Sequence, residues 1–147
     1  MLTKSQKNIA SFIHVGVFSK YLFPFGNFII PLLIWLNNKE KSEFIDENGK
    51  QALNFQISVT LYFIAIALIS IPFVVNFVFS MEQLEHLHRE VTFHDVTSFP
   101  VTIIVFTILG LCCLILFVLE IYATIYAAIK AHEGTVYNYP LSIKFLK

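Results

Sequence analysis

QALNFQISVTLYFIAIALISIPFVVNFVF, residues 51–79, decides the fold. The stretch carries no charge, and an apolar run of roughly 18 or more residues reads as a membrane-spanning helix. FPVTIIVFTILGLCCLILFVLEIYATIYAAIKA, residues 99–131, repeats the pattern with Glu120 as its one acid. A third apolar stretch covers residues 9–36, and almost every other charge lies between or beside the three. The whole chain agrees: 56% of its 147 residues are hydrophobic, 14% are charged, and the mean hydropathy is +0.71, which fits an integral membrane protein. Ten basic residues balance ten acidic ones with no basic block, so nothing points to nucleic acid.

Helix-end chemistry brackets the two long runs. Residues 44–50 form a polar turn whose acids, Asp46 and Glu47, suit the positive end of the helix that follows. Pro72 should kink this helix without ending it, because lipid-buried helices tolerate proline. Pro100 falls in the first turn of the last helix, where its missing N–H costs nothing. Lys130 and His132 favour the far end of that helix, and Gly134 is a natural left-handed cap. Each helix exceeds the roughly 20 residues a bilayer requires, so both must tilt or protrude.

Residues 9–36 are different. Pro24, Gly26, Asn27 and Pro31 crowd their middle, which argues for a broken or re-entrant segment over one straight rod. Lys4 and Lys7 ahead of it resemble the start of a signal peptide. His14 and Lys20 interrupt the apolar run, however, and no small-residue cleavage site follows, so the segment is expected to be retained. Charge bias sets the orientation. Lys39, Lys41 and Lys50 flank one connection and Lys144 and Lys147 end the chain, whereas residues 81–98 carry Arg89 as their one Lys or Arg. Basic-rich sides face the cytoplasm, so residues 37–50 and both termini are expected inside an inner membrane, and 81–98 outside. The expected fold is an all-α integral membrane protein: a small bundle of two long transmembrane helices (51–79 and 99–131), a broken N-terminal segment, an outer loop (81–98) and an interfacial tail (132–147).

Three strings carry a resemblance. They are Pro31-Leu-Leu-Ile-Trp35-Leu, then Phe44-Ile-Asp-Glu47-Asn-Gly-Lys-Gln51-Ala-Leu-Asn54-Phe-Gln56, then Lys130-Ala-x-Glu-Gly134-x-x-Tyr137-x-Tyr139-Pro140-Leu. In this order they resemble a widespread family of small bacterial integral-membrane proteins of unknown function. That family is distantly similar to the twenty-kilodalton Tic component of chloroplast protein import. The resemblance implies a channel or scaffold role in protein transport. The long, histidine-bearing 81–98 segment departs from the family pattern.

Several side chains are candidates for a site. Gln51, Asn54, Ser58 and Tyr62 recur at spacings of three and four, making one polar stripe on the second helix. In lipid such groups line a hydrophilic path or bond to other helices. Glu120 is costly at depth; it pairs with His14, Lys20 or the stripe, or else sits near the cytoplasmic interface. On the expected topology, the Gln51–Asn54 face contacts the 31–35 segment and the Tyr139-Pro140 tail. Trp35, Tyr137 and Tyr139 read as interface anchors. His86, His88 and His94 lie among acids, but their spacing matches no tight metal site. No cofactor is expected. Cys112 and Cys113 are adjacent inside an apolar run and read as unreactive. No phosphate loop, zinc-protease motif or catalytic triad appears, so the chain is not expected to be an enzyme. The expected partners are the lipid bilayer and a larger transport or protein-translocation complex, or further copies of the chain. The rival expectation is a small oligomeric channel lined by Gln51, Asn54 and Glu120.

Overall fold

A computed structural model describes residues 2–85 and 93–146, with backbone alone at 80–85 and 93–99. Its order is α1 (Lys4–Val15), a 3-10 helix (Gly16–Tyr21), α2 (Gly26–Leu36), a short 3-10 turn (Lys39–Lys41), α3 (Glu43–Glu85) and α4 (Phe93–Glu133). The fold is all-helical among the described residues, and α3 and α4 are each long and apolar enough to cross a membrane.

Local chemistry sets each boundary. Thr3 opens α1 with a reciprocal capping box: its hydroxyl accepts from the Gln6 N–H, and the Gln6 side chain accepts from the Thr3 N–H. Ser42 opens α3, its hydroxyl accepting from the Phe44 N–H. Residues 44–50 are therefore the first two turns of α3, not a turn ahead of it. Helix-friendly acids at Glu43 and Asp46 and the Ser42 cap outweigh the two helix-weak residues, Asn48 and Gly49. Gly49 has its own reason: a Cβ there would collide with the Trp35 indole. Likewise α4 starts at Phe93, so Pro100 lies two turns in and not in the first turn. The 81–98 connection is shorter than expected, since α3 runs to Glu85 and α4 begins at Phe93. His86 and His88 lie outside the described residues, as does the side chain of His94. At the other end, α4 closes on Gly134 at φ 96°, with the Thr135 N–H reaching back to the Lys130 carbonyl.

The chain forms two compact units. The first holds residues 1–61 and 118–147. In it the N-terminal segment is a hairpin: α1 and its 3-10 extension go out, residues 22–25 turn, and α2 returns packed against both. Phe25 sits at the turn in the left-handed region (φ 61°), between Pro24 and Gly26. The arms approach closely enough that a Cβ on Gly26 would lie 2.5 Å from the Ser19 carbonyl. Ile13, Trp35, Ile45, Ala52 and Leu53 form the apolar core. On α4, Ala123, Ala127, Ala128 and Ala131 are buried, a small-residue face that lets α1 come near, and the Ser11 hydroxyl donates to the Ala128 carbonyl at 2.8 Å. One end of this unit gathers the start of α1, the α2–α3 connection and the end of α4. There Gln6 Nε2 donates to the Lys41 carbonyl, and Lys7 Nζ to the Glu133 carbonyl.

The second unit, residues 62–117, takes in the second half of α3 and the first half of α4. No residue of α3 from 62 to 79 is buried, so Leu68, Ile71 and Val75 point outward as lipid-facing residues do. Hydroxyls here turn back to their own helix: Ser70 Oγ donates to the Ala67 carbonyl and Thr107 Oγ1 to the Ile103 carbonyl. That removes free polar groups from an apolar surface. Pro72 lies inside α3, which continues through it.

Candidate functional site

The polar side chains of the first unit meet in its interior, and α3 is the element that organises them. One side of α3 carries Asp46, Gly49 and Leu53 and faces the N-terminal hairpin. Trp35 Nε1 donates to Asp46 Oδ1 at 2.8 Å, and its indole lies over Gly49. Trp35 is 9% exposed, so it is an internal post and not an interface anchor. On this side too, Gln56 Oε1 accepts from Asn27 Nδ2 at 2.9 Å.

The other side carries the polar stripe. Asn54 acts as a surrogate peptide for the C-terminal tail: its Oδ1 accepts from the N–H groups of Phe145 and Leu146 at 3.1 and 2.8 Å, and its Nδ2 donates to the Leu146 carbonyl at 3.0 Å. Ser58 Oγ donates to the Asn54 carbonyl and accepts from the Ile143 N–H at 2.8 Å. Gln51 Nε2 donates to Asn138 Oδ1 at the exposed edge. A tail that cannot pair as a helix or sheet thus has its backbone groups satisfied by two side chains. Tyr62, the last residue of the expected stripe, belongs to the second unit.

His14 joins α1 to both α3 and the tail. Asn48 Nδ2 donates to the Phe44 carbonyl, which turns Asn48 Oδ1 towards His14 Nε2 at 3.0 Å. That nitrogen must then carry the proton, so Nδ1 is the acceptor facing the Tyr139 hydroxyl at 2.9 Å. Both rings lie outside the two long helices. Burial holds the His14 imidazole down at about 4 and pushes the Tyr139 phenol up, so both are neutral at neutral pH. Tyr139 stacks on Phe55 with ring centres 4.2 Å apart, and Tyr137 meets it edge-on at 5.3 Å. Tyr139 is therefore also internal, with 6% of its surface exposed, whereas Tyr137 is half-buried. Leu141 follows in the left-handed region (φ 58°), which bends the tail after Pro140.

Glu120 is 3% exposed and pairs with Lys20 Nζ at 2.5 Å. Lys20 ends the outgoing arm of the hairpin, so this ion pair ties the hairpin to α4. Elsewhere in this unit the buried Gln56 Nε2 and Ser142 Oγ make no hydrogen bond. Phe44 is half-buried and Glu47 exposed on α3, and Pro31 is buried within α2. Pro140 is exposed.

Asn48, Asp46 and Gln56 join the site beyond the residues that sequence spacing singles out. The stripe's own spacing, continued one turn back from Gln51, reaches Asn48. Asp46 suits a helix start by sequence, and nothing in its local sequence signals the bond to Trp35. Among the described residues, no group of three or more His, Cys, Asp or Glu is placed to hold a metal ion.

Two long apolar helices, with polar groups turned inward on each other, define a small α-helical membrane protein. A family model described as the magnetosome magnetite crystal formation protein family matches residues 5–146, and the chain belongs to that family. This agrees with the bacterial small-membrane-protein resemblance, and nothing in it supports the likeness to the chloroplast-import component. No curated protein and no solved structure matches the chain.

Proposed function

We propose that the chain is a non-enzymatic membrane scaffold that joins a larger membrane-protein assembly. It crosses a bacterial inner membrane through α3 and α4, the N-terminal hairpin re-enters from the cytoplasmic side, and both termini face the cytoplasm. One observation carries the reading. Asn54, Ser58, His14, Asn48 and Glu120 spend their hydrogen-bonding groups on the tail, the hairpin and one another. A path for ions or solutes needs such groups turned to shared water; a rigid platform needs them as they are.

The family description ties its members to magnetite crystal formation in magnetosomes. Assembly of other proteins on a membrane is the part of that role this geometry suits. The narrower reading, a subunit of a transport or protein-translocation complex, rests on the resemblance to the Tic component alone. The rival is an oligomeric channel, and the pairing of Glu120 with Lys20 weighs against it. Crosslinking in intact membranes followed by mild-detergent purification tests the scaffold. The expected result is a reproducible crosslinked partner, either a second protein or further copies of the chain. A lone monomer across detergents and crosslinker lengths would contradict it.

A further inference from the structure

A groove runs between α1 and the last turns of α4, entirely within the first unit, and its two ends differ in chemistry. The apolar stretch, about 520 Å³, is walled by Val15, Phe18, Ile125 and Ile129. At His132 it meets a polar recess of about 340 Å³ lined by Lys4, Lys7 and Asn8. Both volumes fall in the range of small-molecule sites. The change follows from one helical stripe: positions 4, 8, 11, 15 and 18 share a face of the outgoing arm, and they run from basic through Ser11 to apolar. Opposite, 125, 129 and 132 run the same way along α4. Ser11 Oγ is already spent on the Ala128 carbonyl, so it closes the floor and does not compete for a ligand.

We propose that this groove holds one anionic phospholipid, with its phosphate at Lys4, Lys7 and Asn8 and an acyl chain along Val15, Ile125 and Ile129. The inference rests on the chain being embedded in a membrane, but not on the scaffold role. Two features select this occupant. The apolar walls are open: Val15, Ile125 and Ile129 are 46%, 48% and 50% exposed. They continue the outward apolar surface of Phe12 and Tyr122, so their neighbour in a bilayer is lipid. The charge at the head is complementary to an anion. Glu133, the one acid on the lining, is paired with Lys130 at 2.7 Å, and its carbonyl is covered by Lys7 Nζ at 3.1 Å. Basic pockets beside helix ends at the cytoplasmic face are a recurrent mode of binding acidic headgroups.

Native mass spectrometry of the full chain in mild detergent, with added phosphatidylglycerol or phosphatidylcholine, tests this. Wild-type protein should retain one phosphatidylglycerol in clear preference to phosphatidylcholine. Lys4→Gln should cut that preference about fivefold. Val15→Trp, which fills the apolar stretch, should remove both lipids. Lys144→Gln, away from the groove, should change nothing. Circular dichroism of each variant separates loss of the groove from loss of the fold; if Val15→Trp fails to fold, Lys4→Gln alone decides. Equal retention of the two lipids, or a preference that survives Lys4→Gln, would overturn the proposal. So would displacement of the lipid by millimolar inorganic phosphate, which would mark a free-anion site.

Discussion

Lys20→Met should lower stability by about 3 kcal/mol in a reversible mixed-micelle unfolding assay, because it leaves the Glu120 carboxylate buried without its lysine. The low end of the usual range applies because the Lys20 side chain is 23% exposed. Replacing both partners, Lys20→Met with Glu120→Leu, should recover stability to within about 1 kcal/mol of wild type, since a well-packed apolar pair often matches a buried ion pair. The pattern matters more than the single value. A double variant as unstable as Lys20→Met would mean that the residues act separately and that the hairpin is not tied to α4 through this pair.

Gly26→Ala should be nearly as damaging, at about 3 kcal/mol, through a different cause. The added Cβ would stand 2.5 Å from both the carbonyl carbon and oxygen of Ser19, and 2.8 Å from the Lys20 nitrogen. These are backbone atoms, and they cannot swing aside as a side-chain end can. The hairpin arms must separate, which pulls Asn27 from Gln56 and Lys20 from Glu120. Gly110→Ala is the matched control. A Cβ there meets nothing within 4 Å, so it should be neutral or stabilise by up to about 1 kcal/mol through helix propensity. Equal effects at the two glycines in the same assay would contradict the close crossing at the turn.

Much of the architecture was legible in the chain because bilayer chemistry is legible: long uncharged runs fix the two long helices, and clustered Pro24, Gly26 and Pro31 mark the break in the first segment. Boundaries were less so. Residues 44–50 look like a loop by composition, yet Ser42 caps them into α3, and Gly49 is there to admit Trp35. Aromatics misled for a related reason. Trp35 and Tyr139 flank apolar runs as interface anchors do, but their polar tips find Asp46 and His14 inside the protein, a pairing between segments far apart in sequence. The stripe of Gln51, Asn54 and Ser58 was visible from helical spacing. What it bonds was not: Asn54 grips backbone groups of the tail, and backbone leaves no sequence signal. The Lys20–Glu120 pair was one of several partners open to Glu120, and the 3-10 extension of α1 is what carries Lys20 to it.

A scaffold whose Asn54, Ser58, His14 and Glu120 side chains pair within the protein should pass no ions or solutes. Flux through liposomes containing the purified chain tests this most directly, with ions and small neutral solutes assayed in wild type and in Glu120→Gln. Leakage no greater than in protein-free liposomes is expected for both proteins. Wild-type flux well above that level, altered by Glu120→Gln, would contradict it.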